Sequence, residues 1–223
     1  MNRDIQIHNW GMIEYNLAWS KQEEIFNHQI ALKSDDLPTE NHLVICQHPH
    51  VYTLGKSGDD QNLLLNYIQL QAKSASFVKT NRGGDITYHG PGQLVGYPIL
   101  DLSNFMIGLK QYIWLIEEVI VQTLAHYSII SSRLEGATGV WIDVGTPKVR
   151  KICAIGVKSS KFVTMHGFAL NVNTDLEFFN YINPCGFVDK GVTSMQNEIG
   201  TCVNIHEVEE VLLTKFTSIF HKE

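Results

Sequence analysis

Apolar residues recur along this chain with two different periods. Ile5–Asn9 alternates apolar and polar positions, a period of two that predicts a first strand. From Ile13 to about Leu32 the period lengthens. Tyr15, Trp19, Phe26 and Ile30 recur at helical spacing and predict an amphipathic helix. Leu43–Cys46 is a short apolar run, read as a buried strand ending near His48-Pro49-His50. Leu63–Ala72 reads as another helix, and Phe77–Lys79 opens a strand that runs into a glycine-rich segment. Leu109, Ile113, Ile116, Ile120 and Leu124 mark a long helix with one apolar face. Arg150–Val157 and Phe162–Asn173 are extended segments joined through Ser159-Ser160-Lys161, the spacing of an antiparallel hairpin. The last helix is Val208–Phe220, with Val211, Leu212, Phe216 and Phe220 facing inward. Strands and helices mix without regular βαβ alternation, so the expected fold class is α+β. No repeat, low-complexity tract or Pro/Gly/Ser linker divides the chain, and residues 1–223 read as one domain.

Composition narrows the function classes. Hydrophobic residues make up 44% and charged residues 18%, ample for a packed core and contrary to disorder. The formal net charge of -6 argues against a nucleic-acid binder that relies on a broadly basic surface. No apolar run approaches the roughly 20 residues that span a bilayer, so no membrane partner is expected. Met1-Asn2-Arg3-Asp4-Ile5 lacks the blocks of a signal peptide, and the cysteines show no CxxC pair. The expectation is a cytoplasmic protein with reduced thiols.

Candidate chemistry lies in three stretches. Arg82-Gly83-Gly84-Asp85-Ile86-Thr87-Tyr88-His89-Gly90-Pro91-Gly92-Gln93 exposes backbone N–H groups to close approach, while Arg82, Thr87 and His89 add donors for a carbonyl or carboxylate. Two tight turns flanking a strand account for the glycines equally well. Gly55-Lys56-Ser57 resembles the end of a P-loop, but His50 stands where its opening glycine belongs. GxGxxG and GxSxG spacings are also missing. In Lys148–Lys158, strand alternation places Lys151, Cys153 and Ile155 on one face and Ile152 and Ala154 on the other. A lysine beside apolar positions suits proton transfer, although a strand lysine commonly snorkels to water. In Tyr181–Gly186, Cys185 sits between Pro184 and Gly186 in a turn, where a thiol is open to attack chemistry. Cys153 is the rival nucleophile, and Cys46 and Cys202 read as core residues. His48, His89 and His166 either line a pocket or are satisfied structural histidines, and Pro49 speaks against a metal site built on Cys46, His48 and His50.

Taken together, these stretches resemble the lipoyl(octanoyl)transferase family. The resemblance is carried by Arg82–Gln93, Tyr97-Pro98, Lys151–Gly156, Met165–Asn173 and Asn183–Gly186, with His48 and Val51–Gly55 in support. Gln47 departs from it, standing where an acidic residue is expected. The resemblance implies an α+β domain like the biotin and lipoate protein ligase catalytic domain, with a mixed or antiparallel sheet and flanking helices. It places the thioester nucleophile on Cys185 and the lysine that activates it on Lys151. Substrate contacts fall on Arg82, Gly83, Gly84, Asp85, Ile86, Thr87, Tyr88 and His89, on Ala154, Ile155 and Gly156, and on Gly167, Phe168 and Ala169.

The implied activity moves an octanoyl group from octanoyl-acyl carrier protein to the acceptor lysine of a lipoyl domain, through a Cys185 thioester. The acceptors it implies are lipoyl domains of 2-oxoacid dehydrogenase E2 subunits and the glycine cleavage H protein. No cofactor, ATP or metal is expected, since thioester exchange keeps the acyl group activated. The rival readings are an ATP-dependent lipoate or biotin protein ligase of the same fold and a non-catalytic lipoyl-domain binding module. Lys148, Arg150, Lys151, Lys158 and Lys161 have no acidic residue between Lys148 and Lys161. They suggest either a salt-sensitive docking patch for an acidic carrier or a solvated hairpin tip.

Overall fold

The computed structural model describes residues 2–183 and 190–221. Ile5–Met12 forms β1, Tyr15–Ser34 α1, Asn41–Gln47 β2, Val51–Leu54 β3, Tyr67–Ala72 α2 and Ser76–Lys79 β4. Ile86–His89 forms β5, Gln93–Ile99 β6, Leu109–His126 α3, Ser132–Leu134 β7 and Ala137–Ile142 β8. Arg150–Ser160 forms β9, Val163–Asn171 β10, Gly191–Val192 β11, Met195–Ile199 α4 and Ile205–Phe220 α5. The main sheet runs β1-β2-β6-β10-β9-β8-β7, with β11 paired to β9. Its pairs are antiparallel except β1 with β2 and β11 with β9. A smaller sheet runs β4-β3-β5. The α+β class with a mixed sheet and flanking helices is therefore the observed one.

Strand alternation divides the core. Leu94 and Leu170 pack with Ile116, Ile120, Leu212 and Phe216 of α3 and α5. Val95, Tyr97 and Ala169 turn the other way, onto Ala18 of α1. Because both faces are covered, every residue of β6 and β10 is buried. Burying that apolar area contributes about 25 cal/mol per Å². The β4-β3-β5 sheet has its own cluster, where Tyr52, Leu54, Leu70, Ile86 and Tyr88 meet Ile182.

Several expectations change. The helix expected over Leu63–Ala72 begins only at Tyr67, because Asn66 closes a capping box. Its side chain accepts the Gln69 N–H, and Gln69 Oε1 accepts the Asn66 N–H. The buried face of α1 is Tyr15, Ala18, Gln22, Phe26 and Gln29, so it takes in two glutamines and leaves Trp19 and Ile30 half-buried. Both amide oxygens serve backbone donors, Gln22 the N–H of His166 and Gln29 that of Glu40. Cys202, expected in the core, is exposed.

The hairpin β9–β10 forms as expected, but a bulge interrupts β9. Val140 opposes Cys153 while Trp141 opposes Lys151, which leaves Ile152 as the extra residue. Ile152 and Cys153 both enter the core. Lys151 and Ala154 instead line the cavity described below. The expected sharing of one face by Lys151 and Cys153 is therefore broken.

Candidate active site

A cavity of about 590 Å³ opens where the glycine-rich loop crosses β9 and β10. From Arg82 to His89, every residue but Tyr88 lines it, and so do Lys151, Ala154–Gly156 and His166–Ala169. Tyr88 points the other way. It is fully buried in the small sheet's cluster, and its hydroxyl pairs with His50 Nδ1 at 2.6 Å. His48 stands behind the wall and does not line the cavity, its Nδ1–H on the Ile13 carbonyl at 2.7 Å. That contact fixes the tautomer, so His48 Nε2 accepts the Tyr97 hydroxyl at 2.7 Å, and Tyr97 itself faces the cavity.

The loop is held down by backbone contacts. The Gly83 N–H donates to the Val157 carbonyl at 2.9 Å, and Lys56 N–H to the Arg82 carbonyl at 3.0 Å. Gly84 takes φ +86°, a left-handed turn that favours glycine. Gly167 is required for a different reason, close approach: a Cβ there would collide with the Gly96 carbonyl oxygen and lie 2.6 Å from Pro98 Cδ. Gln47, the departure from the expected pattern, accepts the Gly92 N–H at 2.9 Å and so braces the turn before β6.

A directional chain of hydrogen bonds links this loop to Lys151. Arg82 Nη2 donates to Thr53 Oγ1 at 3.0 Å, and that hydroxyl donates to His89 Nε2 at 3.3 Å. His89 Nδ1–H donates to Gln93 Oε1 at 2.8 Å, and Gln93 Nε2 to Asn171 Oδ1 at 2.9 Å. Asn171 Nδ2 donates to the Thr193 carbonyl at 2.9 Å, and the Thr193 N–H to the Lys151 carbonyl at 2.9 Å. Burial, reinforced by neighbouring His48, lowers His89 to about 3, so the ring is neutral and can both donate and accept. Thr53, Gln93 and Asn171 were not picked out as site residues. All three do stand inside the quoted motifs, and that was the available signal.

Lys151 emerges from the bulge with Nζ 4.6 Å from the Trp141 ring centroid. Opposite the bulge, Gly139 takes φ +123° and gives its N–H to Glu117 Oε1 at 3.0 Å. Arg133 in turn pairs with the Glu117 carboxylate at 3.1 Å. Trp141 carries no obvious sequence signal, because its role depends on register with β9. His166 is a non-glycine residue at φ +60° inside β10. Its Nε2–H donates to Asn81 Oδ1 at 2.7 Å, and its buried Nδ1 has no hydrogen-bond partner among the described residues. Burial, helped by Arg82, lowers it to about 3.

Cys185 lies outside the described residues. On either side of that segment, the Asn183 N–H donates to the Asn62 carbonyl at 2.9 Å, and Gly191 pairs with Arg150. The rival thiol, Cys153, is fully buried in the core with its pKa pushed well up by desolvation. Burial does the same to Cys46. Among the described residues, no three His, Cys, Asp or Glu side chains group as a metal site would, and no helix is long and apolar enough to cross a membrane.

The expected basic patch is dispersed. Arg150 and Lys158 lie at opposite ends of β9, roughly 26 Å apart at about 3.3 Å per residue. Arg150 bonds Glu198 and Asp143, Lys158 covers the Phe26 ring, and Lys161 bonds Ser34 Oγ.

Residues 14–217 match the family model described as lipoyl protein ligase A/B catalytic domain. An octanoyltransferase of Christiangramia forsetii is 52% identical, covering 100% of this chain and 98% of its own. One of Flavobacterium johnsoniae is 54% identical, covering 100% and 99%. Among solved structures, a bi-partite lipoate protein ligase from Thermoplasma acidophilum superposes with a TM-score of 0.70 at 16% identity. That match covers 99% of this chain and 86% of the other, a likeness of fold.

Proposed function

The chain belongs to the lipoyl protein ligase A/B catalytic domain family, and on that premise we propose that it is an octanoyltransferase acting in protein lipoylation. It takes the octanoyl group from octanoyl-acyl carrier protein and delivers it to the acceptor lysine of a lipoyl domain. The observation that carries this reading is identity above one half, along the whole chain, to octanoyltransferases. The fold does not separate transferase from ligase, since lipoate ligases share it. Lys151, in the cavity beside Trp141, is the side chain to which the scheme assigns proton transfer.

In the proposed reaction Lys151 takes the Cys185 thiol proton, and the Cys185 thiolate attacks the acyl carbon of the octanoyl thioester. The carbon–sulfur bond to the carrier's phosphopantetheine breaks, and that thiolate leaves and takes the proton from Lys151, which is then neutral for the second step. The acceptor lysine's neutral amine then attacks the Cys185 thioester. An amide forms, the Cys185 thiolate departs, and the proton lost from nitrogen passes to Lys151. One activated acyl bond is exchanged for another before the amide is made, so the scheme uses neither ATP nor a metal. Arg82, Thr87, His89 and the backbone of Gly83, Gly84, Gly156 and Gly167 form the polar wall around the thioester. Ile155, Phe168 and Ala169 give apolar surface for the alkyl chain. The acceptors are lipoyl domains of 2-oxoacid dehydrogenase E2 subunits and the glycine cleavage H protein, and the compartment is the cytoplasm.

Intact mass after mixing with octanoyl-acyl carrier protein tests the reading. One octanoyl adduct is expected, lost in Cys185→Ser, retained in Cys153→Ser, and discharged by an apo lipoyl domain without ATP. Lipoyl-domain modification that appears only with ATP and free acid identifies a ligase instead.

A further inference from the structure

Granted the acyl-transfer reading, we infer that Gly96 and Phe168 act as one unit that sets how long an acyl chain the cavity accepts. The two residues face each other directly across β6 and β10. A Cβ built on Gly96 would lie 2.8 Å from Phe168 Cε2 and closer still to Cζ and Cε1. The tip of the ring therefore occupies the space that a side chain at position 96 would fill. A glycine within a strand commonly marks such a close approach.

The ring has one direction in which to yield. Phe168 is 2% exposed and belongs both to the cavity wall and to the core cluster beneath α3 and α5. On the core side stand Leu94 and Leu170, 2% and 0% exposed, in an interior that packs like an organic crystal. On the other side is the cavity. Any group added at position 96 drives the ring into that space. Ile155 faces Phe168 across the β9–β10 ladder, and Leu109 and Ile113 line the same cavity, apolar surface that suits an alkyl chain and not a thioester carbonyl. The polar relay through His89 and Gln93 lies elsewhere on the wall. Gly96 thus keeps the ring folded onto the sheet, and the depth left for the chain follows from it.

The measurement is the ratio of kcat/KM for hexanoyl-, octanoyl- and decanoyl-acyl carrier protein, taken on one protein sample. A ratio cancels differences in the folded fraction. Each methylene excluded is worth about fourfold in that ratio, from the transfer free energy of one CH₂. Gly96→Ala is expected to move preference at least about fourfold toward hexanoyl, and Phe168→Leu by a similar factor toward decanoyl. Gly96→Ala/Phe168→Leu is expected to keep the ratio of Phe168→Leu alone, because the added methyl then has no ring to displace and the two shifts do not add.

Variants that form the adduct yet keep the wild-type ratio overturn the inference, as does a double variant whose shifts simply add. If Gly96→Ala fails to fold, Phe168→Leu decides alone. A wild-type protein that forms no adduct from any of the donors removes the acyl-transfer reading. The same variants are then scored by binding of hexanoate, octanoate and decanoate. A shift there sustains the Gly96–Phe168 unit, and no shift overturns it.

Discussion

The backbone N–H of Thr193 donates to the carbonyl of Lys151 at 2.9 Å, tying the chain that follows residues 184–189 to the strand that presents the candidate proton carrier. Val192 pairs with Lys151 in the same ladder, so β11 and the β9 bulge are built as one unit. Removing the ammonium from that unit is expected to leave the fold intact and the chemistry impaired. Lys151→Met keeps an unbranched stem against Trp141 and should lower kcat by about 10²–10⁴-fold, the usual range for a positioned acid or base. Lys151→Arg should not restore it, because a guanidinium does not release its proton. Single-turnover transfer to a lipoyl domain checks both, and wild-type rates would remove Lys151 from the mechanism.

Alkylation separates the thiols. With iodoacetamide at neutral pH, Cys185 and exposed Cys202 should label in the native protein. Cys46 and Cys153, buried and held far from ionisation, should label only after unfolding. Prior incubation with octanoyl-acyl carrier protein should protect Cys185 and leave Cys202 unprotected. Peptide mass mapping reads all four sites, and native labelling of Cys153 would return it as rival nucleophile.

The relay through Gln93 and Asn171 makes a third expectation. Asn171→Ala leaves Gln93 Nε2 with only its bond to the Tyr88 carbonyl and takes from the Thr193 carbonyl the donor Asn171 Nδ2. A buried polar group left unpaired costs about 1–3 kcal/mol. Asn171→Asp keeps the acceptor for Gln93 but sets a buried carboxylate oxygen against the Thr193 carbonyl where a donor stood. Urea denaturation should rank wild type above Asn171→Asp and Asn171→Ala, with kcat falling more than KM rises in both. Equal stability for all three would show that the relay contributes nothing.

Acid should weaken the fold in a defined window. Burial lowers His48 to about 4 and both His89 and His166 to about 3, against an ordinary 6.5. The unfolded chain takes up these protons as pH falls below 6.5, while the folded chain does not until about 3–4. The stabilisation is therefore complete above 6.5 and is lost on acidification. By pH 5 each such histidine costs roughly 2 kcal/mol relative to neutral pH. Thermal melts between pH 7.5 and pH 5 should show a falling Tm, with a shallower slope for His48→Gln. A flat Tm across that range would contradict the buried neutral rings.

How much was legible depended on how locally each feature is caused. The α3 helix announced itself through Leu109, Ile113, Ile116, Ile120 and Leu124, and the β9–β10 hairpin through two extended runs, because both patterns arise within the segment that shows them. The start of α2 was misplaced although Asn66 and Gln69 spell a capping box. The Ile152 bulge was invisible, since it is defined only by register against Val140 and Trp141 on the neighbouring strand. Period-two counting assumes an unbroken strand and so put Cys153 beside Lys151. Tyr88 and His48 sit in motifs that suggested the pocket, but strand alternation turns Tyr88 into the small sheet's cluster, and His48 is held one layer back by Ile13 and Tyr97.

The sequence by itself determined the α+β class, the long elements and the family, since these rest on periodicity and on residue types in fixed order. It also marked Lys151, the glycine-rich loop and the Met165–Asn173 strand as places to look. Only the tertiary structure decided which of those side chains share a cavity and which stand behind it. It supplied the relay from Arg82 to Thr193, the Trp141 face under Lys151 and the ring of Phe168 lying over Gly96. The physical reason is range. Periodicity and capping act over a few neighbouring residues, whereas a hydrogen bond between side chains 78 positions apart, as between Gln93 and Asn171, exists only once strand register has brought them together.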